Sequence, residues 1–228
     1  MTPHSPHRPT RTLALVLTTA LLAGGAVPRA QSPATPPHVP TIDELVELGS
    51  VGAATISPDG RWVAYQESFT DWERDAFVTQ VLVADTRTGT VVQLTRGRDS
   101  VSDVEWSPDS RWITFLREVD GKSQVHAIRP DGGEAIVVSA HGASIGSHAW
   151  APDGASIVFT APEAEDAAAK ARKDALGEFT VVRRDYRYAH LWTLPVTGDF
   201  AKPVSGRQRT RGTDRHVQGF DVAPDGTR

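Results

Sequence analysis

The chain of 228 residues contains no cysteine. It can neither form a disulfide nor carry a lipid on cysteine, so its stability must come from a packed core. It also lacks a long apolar run. The longest, Leu13 to Ala26, has 14 residues, short of the roughly 20 a membrane helix needs, and no stable membrane anchor is expected. None of the eight histidines shows H-E-x-x-H or paired-ligand spacing, so no metal site is expected. No glycine-rich loop links a strand pattern to a helix, which removes the basis for a nucleotide site; no cofactor is expected. The net charge of −4 disfavours a polyanion, so no nucleic-acid partner is expected.

What is present begins with an export pattern. His4 to Arg11 is basic or polar, Leu13 to Ala26 is apolar, and Gly24-Gly25-Ala26 offers small residues to a signal peptidase. This reads as a signal peptide over 1–26, with cleavage after Ala30 as an alternative. The remainder carries 22 basic and 28 acidic residues, a charge of −6. Residues 27–40, proline-rich from Gln31 to Pro40, read as an extended linker. Thr41-Ile42-Asp43-Glu44 then has the form of a capping box, predicting a short helix from Ile42 to Leu48.

A Pro-Asp turn occurs four times: Ser57-Pro58-Asp59-Gly60, Ser107-Pro108-Asp109-Ser110, Ala151-Pro152-Asp153-Gly154 and Ala223-Pro224-Asp225-Gly226. Proline presets φ at the second position, and glycine suits the fourth. Ile56, Trp106, Trp150 and Val222 precede the turns; Val63 and Tyr65, Ile113 and Phe115, and Ile157 and Phe159 follow with the period of a strand. Further strands are expected at Gln80 to Asp85, Gln124 to Arg129 and His190 to Val196. Short closing runs follow at Val91 to Thr95 and Ala135 to Ser139.

Four strands per repeat make each repeat a blade of a β-propeller. The expected fold is all-β: an incomplete propeller of about three full blades, over 50–98, 99–141 and 142–206, with the start of a fourth over 215–228. Successive turn prolines are 50, 44 and 72 residues apart, so the third blade carries an insertion. Glu163 to Leu176, rich in alanine, glutamate and lysine, reads as a solvated helix with an Asp166 to Lys170 pair. An unfinished strand at Gln218 to Ala223 and the flank of blade one would be exposed, and such edges favour association.

One motif invites a catalytic reading. Gly142-Ala143-Ser144-Ile145-Gly146 matches G-x-S-x-G, in which a serine nucleophile sits on a strand-to-helix turn. Here no helix follows. A 44-residue shift aligns Ser144 with Ser100 and Trp150 with Trp106, which puts Ser144 in a blade-to-blade connection. His141 or His148 acting on Ser144 is the residual alternative. Arg183, Arg184, Arg187, Arg207, Arg209 and Arg211 read as solvated charge, or as a patch for a carboxylate-bearing ligand. No catalytic, cofactor-binding or metal residue is assigned.

The opening Thr41-Ile42-Asp43-Glu44-Leu45, then Gly52 and Ile56 to Tyr65, resembles secreted peptidases of the prolyl oligopeptidase family, of the bacterial dipeptidyl-peptidase and acylaminoacyl-peptidase types. The blade-three insertion and the run Phe179 to Trp192 are similar to that family too, so the resemblance spans 41–228. It implies a propeller that gates access of short peptides to a C-terminal α/β-hydrolase domain carrying Ser, Asp and His. Neither that domain nor its catalytic residues have a counterpart here. Asp71 and Glu73 do not match the paired glutamates with which some dipeptidyl peptidases hold an amino terminus. The expected partners are therefore a peptide substrate, through the full-length protein, and the hydrolase domain of the same parent. The alternative is a non-catalytic TolB-like periplasmic propeller that acts as an interaction scaffold; either reading places the protein outside the cytoplasm.

Overall fold

In the computed structural model, which describes residues 39–177 and 186–226, the Pro-Asp turns close by one repeated set of bonds. Ser57 Oγ donates to Asp59 Oδ1 at 2.6 Å and accepts from Trp62 N at 2.9 Å, while Arg61 N donates to the same carboxylate oxygen at 3.0 Å. Ser107, Asp109, Trp112 and Arg111 repeat the three bonds at 2.6, 2.9 and 3.1 Å. The third turn has Ala151 in place of serine and keeps the aspartate's bond, from Ala155 N at 2.9 Å. The Ser57 hydroxyl, then the Arg61 N–H, hold the Asp59 carboxyl below its ordinary range. Burial pushes Asp109 up, but the Ser107 hydroxyl and Arg111 N–H outweigh it, and the net direction is again down.

The fourth turn positions, Gly60, Ser110, Gly154 and Gly226, have φ of 71°, 61°, 68° and 66°. That region costs a non-glycine residue about 1 kcal/mol. Ser110 is held there by a long-range bond, because its Oγ accepts from Asp59 N of the preceding turn at 3.0 Å. The fourth turn forms as well, with Gly226 N donating to Ala223 O at 2.8 Å.

The capping box is complete. Thr41 Oγ1 accepts from Glu44 N and Glu44 Oε2 accepts from Thr41 N, starting α1 (Ile42–Glu47) with Leu48 as its C-cap. The first sheet follows as β1 (Ser50–Ile56), β2 (Trp62–Asp71), β3 (Ala76–Asp85) and β4 (Val91–Gln93). The second is β5 (Val101–Trp106), β6 (Ile113–Val119), β7 (Lys122–Ile128) and β8 (Ile136–Val137). The third is β9 (Ser147–Trp150), β10 (Ser156–Pro162), β11 (Ala189–Pro195) and β12 (Arg207–Gln208), with α2 (Ala167–Leu176) between β10 and β11. All three sheets are antiparallel, and each keeps its strands in chain order.

The middle sheet packs on both faces, so β6 is buried without alternation from Ile113 to Leu116, Thr114 included. Ile113, Phe115 and Ile128 pack against Ala64, Val81 and Val83 of the first sheet. Trp112, Leu116, Val125 and Ala127 pack against Ile157, Phe159 and Leu194 of the third. Inter-sheet polar bonds add direction: Trp106 Nε1 donates to Thr55 O at 3.1 Å, and Trp150 Nε1 to Thr114 Oγ1 at 2.9 Å. Close approach also forces glycine at position 206. A Cβ on Gly206 would lie 2.4 Å from Cζ of the fully buried Phe159. Gly206→Ala is expected to cost about 1–3 kcal/mol by overpacking, read as a lower urea midpoint.

Several expectations need correction. The insertion's helix starts at Ala167, not Glu163, because Asp166 is its N-cap and accepts from Ala169 N at 2.6 Å. With that carboxylate on the backbone, Lys173 pairs with Glu165 at 3.1 Å, and the Asp166 to Lys170 pair is absent among the described residues. The expected strand at Gln218 to Ala223 does not form; the segment joins no ladder among the described residues, and a strand exists only through its ladder. The signal segment 1–26, the alternative cleavage at Ala30, linker residues up to 38, Phe179 to Asp185, Arg183 and Arg184 lie outside the described residues. Among the described residues, no helix is long and apolar enough to cross a membrane.

Candidate functional site

The end of the sheets that carries the β2–β3 and β6–β7 hairpins also carries the sheet-to-sheet connections, and a buried glutamine organises each connection. Gln124 begins the inner part of β7 and is 4% exposed. Its Nε2 donates to His141 O and Ala143 O at 3.1 and 3.3 Å, and its Oε1 accepts from Ser139 Oγ at 2.7 Å and His141 N at 2.9 Å. Gln80 repeats this 44 positions earlier, donating to Gly97 O and Asp99 O and accepting from Thr95 Oγ1. In the third sheet His190 stands at that position, and Leu191 N donates to Thr210 Oγ1 as Val81 N does to Thr95 and Val125 N to Ser139.

Ser144 belongs to this framework. Its Oγ accepts from Ser123 N at 3.3 Å, as Ser100 Oγ accepts from Thr79 N at 3.1 Å. In the third sheet Nδ1 of His216 takes the same place and accepts from Ala189 N at 3.1 Å. His216 and Ser144 therefore line one cleft of about 390 Å³, with no bond between them. Sequence reading missed His216 because its only signal is substitution at a repeat position, and the loop before it is one residue longer.

Neither histidine weighed as a base reaches Ser144. His141 is buried, with Nε2 donating to Pro162 O at 3.1 Å and its ring edge against Phe159 and Trp192. Burial holds it below the ordinary histidine value. His148 has a fully buried side chain, with Nδ1 2.7 Å from Asp103 Oδ2 and Nε2 2.8 Å from Thr114 Oγ1. Asp103, His148 and Thr114 have the connectivity of a catalytic triad, but Thr114 is wholly inaccessible and Trp150 Nε1 also donates to its hydroxyl. A nucleophile must reach its substrate, so this constellation joins the second sheet to the third.

Charged residues line further clefts at this end. Asp71 and Glu73 line one of about 520 Å³ with Phe69 and Trp72. Asp71 Oδ1 accepts from Arg74 N, and Glu73 faces Arg98 at 3.8 Å in an exposed pair. Arg187 lines another cleft of about 440 Å³, together with Lys122, Lys170, Glu165 and Ser144. Arg207 and Arg209 lie elsewhere, on the outer edge of the third sheet, where Arg209 Nε donates to Thr193 Oγ1 at 2.8 Å. Among the described residues, the arginines for which a patch was the alternative to solvated charge are thus divided.

No protein-family model matches the chain. It is 31% identical over 121 residues to the uncharacterized peptidase YuxL of Bacillus subtilis, covering 53% of this chain and 18% of that protein. It is 25% identical over 177 residues to dipeptidyl-peptidase 5 of Porphyromonas endodontalis, covering 76% and 26%. The chain thus spans about a fifth to a quarter of the length of these relatives. Among solved structures it is similar to the AtxE2 isopeptidase, with TM-score 0.53, 18% identity and coverage of 67% and 30%. It is also similar to the acylaminoacyl peptidase of Pyrococcus horikoshii, with TM-score 0.50, 16% identity and coverage of 66% and 24%. At such identities the structural likeness is one of fold.

Proposed function

We propose that this chain, a relative of prolyl oligopeptidase family peptidases, forms the N-terminal propeller part of an exported serine peptidase. In this reading the propeller limits which peptides reach an α/β-hydrolase domain elsewhere in the same protein. The observation that carries it is the pairing of peptidase-named relatives with partial coverage: the matched region is only 18% and 26% of their lengths. The geometry agrees. Peptide hydrolysis by a serine needs a base on its hydroxyl, and in this chain His141 and His148 are committed to Pro162 O and to Asp103 and Thr114. Export rests on the segment 1–26, whose basic start, apolar core and small residues fit a signal peptide.

The test is to label two proteins with a fluorophosphonate serine probe: the product of the whole encoding reading frame, and this chain alone. The expected result is a labelled serine outside residues 1–228 in the first and no labelling of the second, with the exported form beginning after Ala26. Labelling of Ser144, or a whole product that takes no label, overturns the reading.

A further inference from the structure

We infer that the cleft between the β6–β7 hairpin and the blade-three insertion binds a carboxylate carried by a peptide. Three cations from separate parts of the chain line its volume of about 440 Å³: Lys122 at the start of β7, Lys170 on α2, and Arg187 after the insertion. One acid lines it, Glu165, and that carboxylate is already paired with Lys173 at 3.1 Å. Neither Lys122 nor Lys170 has an ion-pair partner among the described residues. Arg187 Nη1 donates to a neutral acceptor, Glu163 O, at 3.0 Å. Like charges brought to one cleft repel, and in a chain of net charge −4 they are unlike their surroundings. An anion between them removes the repulsion and gains charge-assisted hydrogen bonds.

The cleft also offers a neutral donor on a firm wall. Ser144 lines it, and its Oγ accepts from Ser123 N, which leaves the O–H available to donate to a ligand. The wall is fixed by contact between connection and insertion, because a Cβ on Gly142 would lie 2.6 Å from Ala164 Cβ. The insertion therefore does more than decorate blade three: it brings Lys170 and Arg187 to a site whose other side is the preceding blade. That the carboxylate belongs to a peptide rests on the peptidase reading; the anion preference rests on the cleft alone.

The experiment measures fluorescence anisotropy of labelled short peptides titrated with this chain. One peptide has a free C-terminus and no acidic residue, one is amidated with an internal glutamate, and one is amidated without acid. Saturable binding of either carboxylate peptide, and not of the third, is expected; which one binds identifies an α-carboxylate or a side-chain source. Lys122→Gln with Lys170→Gln is expected to weaken that binding by about 10- to 100-fold, while Lys170→Arg retains it. Both lysines are exposed, so these variants leave the urea midpoint in place. Raising salt from about 0.1 M to about 1 M, which shortens the Debye length from roughly 10 to 3 Å, should weaken it too. Equal binding of all three peptides, tighter competition by inorganic phosphate than by acetate, or indifference to the double substitution overturns the inference. Serine labelling is a separate readout, so failure of the cleft and failure of the peptidase reading give different results.

Discussion

Gln124→Ala is expected to lower the unfolding free energy by about 3–5 kcal/mol, the largest effect of any single substitution considered. Four hydrogen bonds vanish with the amide. Their partners stay buried: Ser139 and His141 are 1% and 8% exposed, so the orphaned carbonyls, N–H and hydroxyl cannot turn to water. Each unsatisfied group costs about 1–3 kcal/mol, and partial relaxation keeps the sum below the simple total. Gln80→Ala removes three such bonds rather than four and should cost less. Urea unfolding checks the order through the midpoints at constant slope. A Gln124→Ala loss under about 1 kcal/mol would show that the connection is held by packing and not by the amide.

Acidification below pH 6.5 is expected to destabilise the chain. Burial holds His126 and His141 below the ordinary histidine value of 6.5. His126 Nδ1 donates to Gln124 O while its ring stacks on Phe115, and His141 is enclosed by aromatic rings. Between 6.5 and the lower folded values the unfolded chain binds protons that the folded chain refuses. Stability therefore falls as pH drops through that window, with a slope approaching about 2.7 kcal/mol per pH unit for two sites. Asp59, Asp85 and Asp109, held below 3.8 by hydrogen bonds, keep their contribution above that value and lose it only at lower pH. Glu105 acts in the opposite sense: burial raises it above 4.5, so ionising it opposes folding at neutral pH and protonation relieves that penalty. The check is urea unfolding across pH 5 to 7 for the parent and His141→Phe. The variant keeps the backbone bonds to Gln124 and should show about half the slope; an unchanged slope would refute the assignment.

The parts of the fold legible in the sequence are those with short-range causes. The Pro-Asp turns were readable because proline, the Asp59 carboxylate and the left-handed fourth position act within six residues, from Ser57 to Trp62. The capping box was readable for the same reason. Composition alone starts the insertion's helix four residues early, at Glu163, because it does not distinguish a helical residue from the cap that begins a helix; Asp166 sets the start through its bond from Ala169 N. The site was less legible. Repeat spacing correctly placed Ser144 in a connection, yet nothing local showed that Gln124 would reach residues 15 to 19 positions away, or that His216 would replace a serine.

By itself the sequence determined the repeat, the alternation of strands, the place of the insertion and the likeness to peptidases, because each is written in residue types a few positions apart. Only the tertiary structure decided which polar groups meet. It committed His148 to Asp103 and Thr114, left Ser144 without a base, and gathered Lys122, Lys170 and Arg187 on one cleft. Those meetings depend on how adjacent sheets stack and where an excursion between β10 and β11 settles, and a sequence pattern carries no distance between segments.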